Sequence, residues 1–196
     1  MNRPFPTHAR VALAEVTRPQ EKASRKQKAR SCLSVFACAL ATALLASRAS
    51  ADTPVFLGFV DTSTRLAVQR SVEGAATRLA RPGCQDVFAD FTDAAGQRLS
   101  TTLVARGKTP AEAFGVLRFF DDGAAPQCRA GKTLAFTQVG SPLIRLCGLQ
   151  FRDRYLQNRT TTEIIVIHEF LHTLGVGENP PTSESITKQV AVRCGN

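Results

Sequence analysis

The sequence predicts a small α+β domain that follows a targeting segment. Short apolar segments separated by turn residues occupy its middle, and capped helical patterns lie on either side of them. Strands and helices do not alternate as regular βαβ units, which favours an α+β arrangement over a parallel α/β fold. The length of 196 residues suits one such domain and is too short for two enzymatic domains.

Residues 1–51 have the pattern of a secretory signal peptide. A long basic stretch precedes the apolar run 31–46, and small residues at 49–51 provide a cleavage site. We therefore expect cleavage after about Ala51, a mature domain of residues 52–196, and a secreted or periplasmic location. An uncleaved membrane anchor is the alternative, although the apolar run is short for a membrane span.

The basic character of the chain belongs to this leader. Of the formal net charge of +9, the first 51 residues carry +7 and the remainder only +2. A nucleic-acid partner is therefore not expected for the mature domain. Residues 52–196 contain no apolar run of membrane-spanning length, which excludes a polytopic membrane protein and leaves no membrane partner after signal cleavage.

Four cysteines of the mature domain predict two disulfides, in agreement with export. None of them forms a CxxC pattern, and sequence alone leaves all three connectivities open. Cys84 with Cys128 and Cys147 with Cys194 is the pairing we favour. The alternative is that the cysteines are free and buried.

The elements follow in order along the mature chain. Apolar residues at helical spacing predict an amphipathic helix over 62–80, and alternation predicts a half-buried strand over 86–91. Thr109 and Glu112 form a capping box that begins a short helix. Three further strands are predicted at 116–120, 134–137 and 143–146.

The final third is predicted to be helical. Thr160 and Glu163 form another capping box before a run over 164–174 that is apolar nearly all round, as in a helix buried in the core. Glycines at 175 and 177 end that helix, and a last helix is expected over about 183–193.

The buried helix contains an HExxH pattern, which is a known zinc-peptidase motif. His168 and His172 are four residues apart, so their imidazoles project from one helix face and can share a zinc ion. Glu169 lies about 100° around the helix, where its carboxylate can reach a water molecule without binding the metal. The cost of burying these groups without a partner favours a cation at this position.

The third metal ligand must be a carboxylate or a cysteine, because the mature chain has no further histidine. Glu178 lies six residues after His172, so the extended motif reads HExxHxxGxxE. Gly175 allows the chain to turn back sharply at the end of the helix. Glu184, twelve residues after His172, is the alternative ligand, and we favour Glu178.

This extended motif resembles that of the zincin metallopeptidases, in particular the metzincins and the small snapalysin-like secreted peptidases. The resemblance covers His168, Glu169, His172 and Gly175, with Glu178 where the family has histidine or aspartate. The supporting Met-turn of metzincins has no counterpart, because the mature chain contains no methionine. The resemblance implies a zincin-like domain with a small mixed sheet packed on a central active-site helix.

The activity that the resemblance implies is zinc-dependent hydrolysis of peptide bonds, with Glu169 as general base. We expect the protein to be a monomer. The implied substrate is a peptide or protein, lying extended beside a strand that we assign to 143–146. Tyr155, Asn179 and Arg145 are unranked candidates for stabilising the oxyanion. An exported zinc-binding module without catalytic activity is the competing interpretation.

Overall fold

A computed structural model describes residues 53–196. The predicted signal peptide and its cleavage site lie outside these residues. The described part is a mixed α+β fold with a small mixed sheet and a C-terminal helix, as the sequence predicts. Within residues 53–196 no helix is both long enough and apolar enough to cross a membrane.

Thirteen elements are formed by the described residues. They are β1 (Val55–Leu57), α1 (Thr62–Leu79), α2 (Pro82–Gln85), α3 (Val87–Asp90), α4 (Leu99–Ala105), α5 (Pro110–Gly115), β2 (Arg118–Asp121), α6 (Pro126–Arg129), β3 (Ala135–Thr137), β4 (Leu143–Leu146), α7 (Gly148–Gln157), α8 (Arg159–Leu174) and α9 (Ser183–Cys194). The predicted long helices and the last three predicted strands are therefore present, with boundaries that differ by a few residues.

The four strands form one sheet in the order β1-β2-β4-β3. The first three of these are parallel, and β3 is antiparallel to β4. Helices α1 and α8 pack against each other, and α8 also contacts β3 and β4. One face of the sheet thus lies over the helix that carries the HExxH motif, and β3 forms the sheet edge beside it.

The predicted strand over 86–91 is wrong, because this segment is helical and forms α3. Val87, Phe88 and Phe91 are all buried, and their spacing of i, i+1 and i+4 matches one face of a helix. The apparent alternation of apolar and polar residues in this short segment concealed that pattern. Proline at the first position of α2 begins the helical stretch.

The capping box predicted at Thr160 is also wrong, since the N-cap of α8 lies two residues earlier. Asn158 is the N-cap, and its side-chain oxygen accepts a hydrogen bond from the backbone N–H of Thr161 at 3.1 Å. Thr160 and Glu163 instead contact Arg78 of α1. By contrast, the capping box of Thr109 and Glu112 is present at α5.

Two disulfides are present, but not in the pairing we favoured. Cys84 is bonded to Cys194, and Cys128 is bonded to Cys147. The reason lies in the tertiary structure, because α9 packs along α2 and brings its last residue to Cys84. The two bridges indicate an oxidising environment, such as the cell exterior or the periplasm.

Candidate metal centre

Helix α8 holds the motif rigidly because most of its side chains are buried. Ile164, Val166 and Ile167 pack in the core before the motif, and Phe170 and Leu171 pack within it. Phe170 makes edge-to-face contacts with two other phenylalanine rings. The two histidines therefore project from a helix that is fixed on its other faces.

The end of α8 turns back through a Schellman motif. Gly175 has a φ of +117°, and its N–H donates to the carbonyl of His172 at 3.0 Å. The N–H of Val176 donates to the carbonyl of Leu171 at 3.2 Å. A Cβ atom at position 175 would lie 2.9 Å from the Cβ of Asp93, so this turn requires glycine for its close packing as well as for its φ.

The imidazoles of His168 and His172 meet edge to face in the interior. Their Nε2 atoms are 2.9 Å apart, and the two residues are only 3% and 4% exposed. Burial, with a smaller contribution from the neighbouring His172, lowers the pKa of His168 to about 3. His168 is therefore neutral at physiological pH, which is the form that binds metals.

Both Nδ1 atoms have hydrogen-bond partners. The Nδ1 of His172 lies 2.7 Å from the carbonyl oxygen of Val176, and the Nδ1 of His168 lies 2.9 Å from the hydroxyl of Thr187 on α9. A carbonyl can only accept, so Nδ1 of His172 carries a proton and its Nε2 has a free lone pair. Metal-binding histidines commonly have such partners on their second nitrogen.

Glu178 joins the two histidines from the loop after α8. Its Oε1 lies 3.4 Å from Nε2 of His172 and 3.8 Å from Nε2 of His168. A point equidistant from these three atoms lies about 2.0 Å from each, close to the zinc–ligand distances of 2.0–2.2 Å. Glu184 is exposed in the first turn of α9 and is not part of this cluster.

Glu169 lies beside the cluster and is almost completely buried, at 5% exposure. Its Oε2 has no hydrogen-bond partner among the described residues. Burial raises its pKa to about 8, a hydrogen bond with Thr137 of β3 opposes this, and the charge of Glu178 raises the pKa further. A buried carboxylate oxygen without a partner is costly, so its retention here indicates a ligand or a water molecule at this position.

The three candidates for oxyanion stabilisation lie in different surroundings. Tyr155 on α7 lies under the guanidinium of Arg159, at 5.2 Å from its ring centroid. Arg145 on β4 forms an ion pair with Asp122 at 2.7 Å. Asn179 is next to Glu178, and its backbone N–H donates to the carbonyl of Pro181.

Sequence reasoning missed the groups that orient the histidines. Val176 acts through its backbone carbonyl, which every residue type has, so the sequence does not reveal this role. Thr187 is 19 residues from His168, and it reaches the site only because α9 folds back against α8. A threonine in the predicted last helix carries no signal of such a contact.

Comparison with known proteins adds no relative: no protein-family model, curated protein or solved structure matches this chain. Function must therefore be argued from the geometry of the centre itself.

Proposed function

We propose that this protein is a secreted or periplasmic zinc-dependent peptidase, with His168, His172 and Glu178 as metal ligands and Glu169 as general base. The observation that carries the proposal is the arrangement of these four side chains. Three donor atoms surround a point at zinc–ligand distance, and a buried carboxylate with an unpaired oxygen lies beside them. No one of these features would carry the proposal by itself.

The donor set suits zinc chemically. Two neutral imidazoles and one carboxylate are a common ligand set of catalytic zinc sites, which leave one position open for water or substrate. Bound zinc supplies a Lewis acid that polarises a carbonyl group and makes water more acidic. The hydrogen bonds of both Nδ1 atoms hold the rings in place before any metal arrives.

Glu169 performs the proton transfers of the proposed reaction. Its carboxylate accepts a proton from the attacking water as the new C–O bond forms, and then donates that proton to the amide nitrogen as the C–N bond breaks. Its buried position beside the cluster, with one oxygen that has no partner among the described residues, suits both steps.

The substrate peptide in this proposal lies along β3. The sequence-based assignment to the strand at 143–146 is wrong, since β4 is paired on both sides by β2 and β3. Among the described strands, β3 is the edge nearest α8, and its Thr137 contacts Glu169. An extended peptide that pairs with this edge would pass beside the proposed base.

An exported zinc-binding module without catalysis is less consistent with the geometry. Structural zinc sites usually close with four protein ligands. The described residues bring only three donor side chains together, and they keep a fourth, unpaired carboxylate beside them. That arrangement is expected of a site that activates water.

The test compares metal content and hydrolysis in the same samples. We would secrete the chain into an oxidising compartment as wild type and as Glu178→Ala, Glu184→Ala and Glu169→Gln. Bound zinc per chain would be measured by atomic spectroscopy, and cleavage of a mixed peptide library by mass spectrometry. Glu184→Ala is the matched control, because it removes an exposed carboxylate from the same region.

The proposal predicts about one zinc per chain in the wild type and in Glu184→Ala, and loss of tight binding in Glu178→Ala. Glu169→Gln should keep its zinc but lose about 100-fold to 10,000-fold in activity, which is the usual contribution of a general base. Zinc binding without hydrolysis in the wild type would support the binding module instead. A folded wild type without zinc would contradict both interpretations.

A further inference from the structure

His168 and His172 differ in the partner of their second ring nitrogen. His172 faces the carbonyl of Val176, which only accepts hydrogen bonds, whereas His168 faces the hydroxyl of Thr187, which can donate or accept. We propose that Thr187 is a positioning residue whose hydroxyl reverses its hydrogen bond when the centre takes up metal. This inference rests on the proposed metal centre.

The distance between the two rings decides where the protons must lie when no ion is bound between them. Nε2 atoms 2.9 Å apart cannot both present lone pairs, so one of them must carry a proton. His172 has a proton on Nδ1, which it donates to the carbonyl of Val176, and this leaves Nε2 of His172 as the acceptor in the contact between the rings. Nε2 of His168 therefore carries the proton, and Nδ1 of His168 accepts a hydrogen bond from the Thr187 hydroxyl.

Metal binding requires the opposite tautomer of His168. Both Nε2 atoms must offer lone pairs to the ion, so the proton of His168 has to lie on Nδ1. Nδ1 then donates to Thr187 Oγ1, and the hydroxyl turns its own proton away. No net proton is gained or lost by His168, and the same 2.9 Å contact is satisfied in both forms.

A hydroxyl is well suited to this exchange. A carbonyl or carboxylate at this position would hold the proton on Nδ1 in the metal-free protein as well, leaving two lone pairs facing each other across 2.9 Å. An apolar side chain would leave a buried ring nitrogen without a partner in both forms. Thr187 thus stabilises the two histidines when no ion is bound, and it does not oppose metal binding.

The fold holds Thr187 firmly in place. Its neighbours Ile186 and Val190 are fully buried, and α9 is capped at its start by the side chain of Thr182. The disulfide between Cys194 and Cys84 fixes the other end of the helix. A side chain on such a helix can set the orientation of an imidazole, as supporting residues do in metal sites.

The experiment measures the histidine tautomers directly and uses the full chain. Nitrogen-15 spectra of the imidazole rings would be recorded without metal and with one equivalent of Zn²⁺, for wild type, Thr187→Val and Thr187→Ser. The remaining histidine, His8, would be replaced by glutamine in all three so that only the two relevant rings contribute. Zinc affinity would be measured by competition with a chelator, and folding by thermal unfolding.

We expect His168 of the metal-free wild type to carry its proton on Nε2, and to carry it on Nδ1 after zinc is added. Thr187→Val should bind zinc about 10-fold to 100-fold more weakly, while Thr187→Ser should stay within a few fold of the wild type. Thr187→Val should lose zinc affinity even though it unfolds at the same temperature as the wild type. A loss of affinity that merely follows a loss of folding would overturn the inference.

Two other results would also overturn it, and they are distinguishable from failure of the proposed function. If the wild type binds zinc and Thr187→Val binds it equally well, the peptidase proposal stands and the role of Thr187 falls. The same holds if His168 carries its proton on Nδ1 both before and after zinc is added. If the wild type binds no zinc, both the proposed metal centre and the inference about Thr187 are rejected.

Discussion

Both halves of α8 bury polar side chains, but they differ in the hydrogen-bond and ion-pair partners of those side chains. In the N-terminal half, Glu163 pairs with Arg78 at 2.6 Å, and the same guanidinium donates to the carbonyl of Cys194 and to the hydroxyl of Thr160. In the C-terminal half, Glu169 leaves one oxygen without a partner among the described residues. The two carboxylates lie six residues apart on one helix.

This difference separates a structural cluster from a candidate site. The Arg78 cluster joins α1, α8 and α9, and its charges are compensated inside the protein. In the HExxH cluster, three donor atoms are directed at a common point, and one oxygen of Glu169 has no hydrogen-bond partner among the described residues. A buried carboxylate without a countercharge costs stability, so its presence calls for a functional explanation.

The sharpest test of the comparison is the same substitution at both positions. Glu163→Gln should lower the free energy of unfolding by about 3 kcal/mol, because it leaves the buried guanidinium of Arg78 without a countercharge. Chemical denaturation would measure this loss. Glu73→Gln is the control, since it breaks an exposed ion pair with Arg70 and should cost less than about 1 kcal/mol. Equal losses for the two variants would show that Arg78 does not depend on Glu163.

Glu169→Gln should have the opposite effect in metal-free protein. The folded-state pKa of Glu169 is raised to about 8, above its ordinary value of 4.5. Between these values the unfolded chain loses this proton and the folded chain keeps it, so the free energy of unfolding falls as pH rises. The variant should therefore be more stable than wild type by about 3 kcal/mol at pH 7. The advantage should shrink towards pH 4.5 and below, where the carboxyl of the unfolded wild type is protonated as well. Unfolding midpoints that differ by the same amount at pH 5 and pH 7.5 would contradict this expectation.

The sequence predicted those features of the site that depend on local spacing. His168, Glu169 and His172 follow from the periodicity of one helix, and Glu178 from a turn that begins at Gly175. The Arg78 cluster could not be predicted, because Arg78 and Glu163 are 85 residues apart and meet only when α1 packs on α8. The glutamate at 163 was instead assigned to a local capping box.

The strand pairing of the sheet also could not be predicted from local spacing. The spacing of apolar residues placed β3 and β4 along the chain, but it could not show that β4 would also pair with β2. That pairing decides which strand is the edge, and so which strand a peptide could join. The disulfide pairing failed for the same reason, since it depends on how α9 packs against α2.

A smaller effect is expected at the turn that separates α8 from Glu178. Gly175→Ala should lower the free energy of unfolding by about 1–3 kcal/mol, because alanine at a φ of +117° is strained and its Cβ would press against Asp93. Gly177→Ala is the matched control two residues later, where a Cβ meets nothing within 4 Å. If both variants unfold like the wild type, the turn does not hold the end of α8. Thermal unfolding would distinguish these outcomes.

The smallest effect should appear in acid, at the start of the helix that carries Arg78. Asp61 caps α1, and hydrogen bonds from Thr64 and Ser63 hold the pKa of its carboxyl below the ordinary value. Because the folded-state pKa is the lower one, the cap contributes its full stability above the unfolded pKa of about 3.9 and loses it as pH falls below that value.

Asp61→Asn tests this contribution, because asparagine also offers a capping oxygen but does not titrate. Wild type should be the more stable protein at pH 6, and the difference should narrow as pH is lowered from 4 towards the folded-state pKa. A stability difference that stays constant over this pH range would show that Asp61 stabilises α1 through its geometry rather than through its charge. Since Asp61 lies at the opposite end of α1 from Arg78, zinc binding should be the same in both proteins at pH 6, which would separate the stability of the structural cluster from the chemistry of the centre.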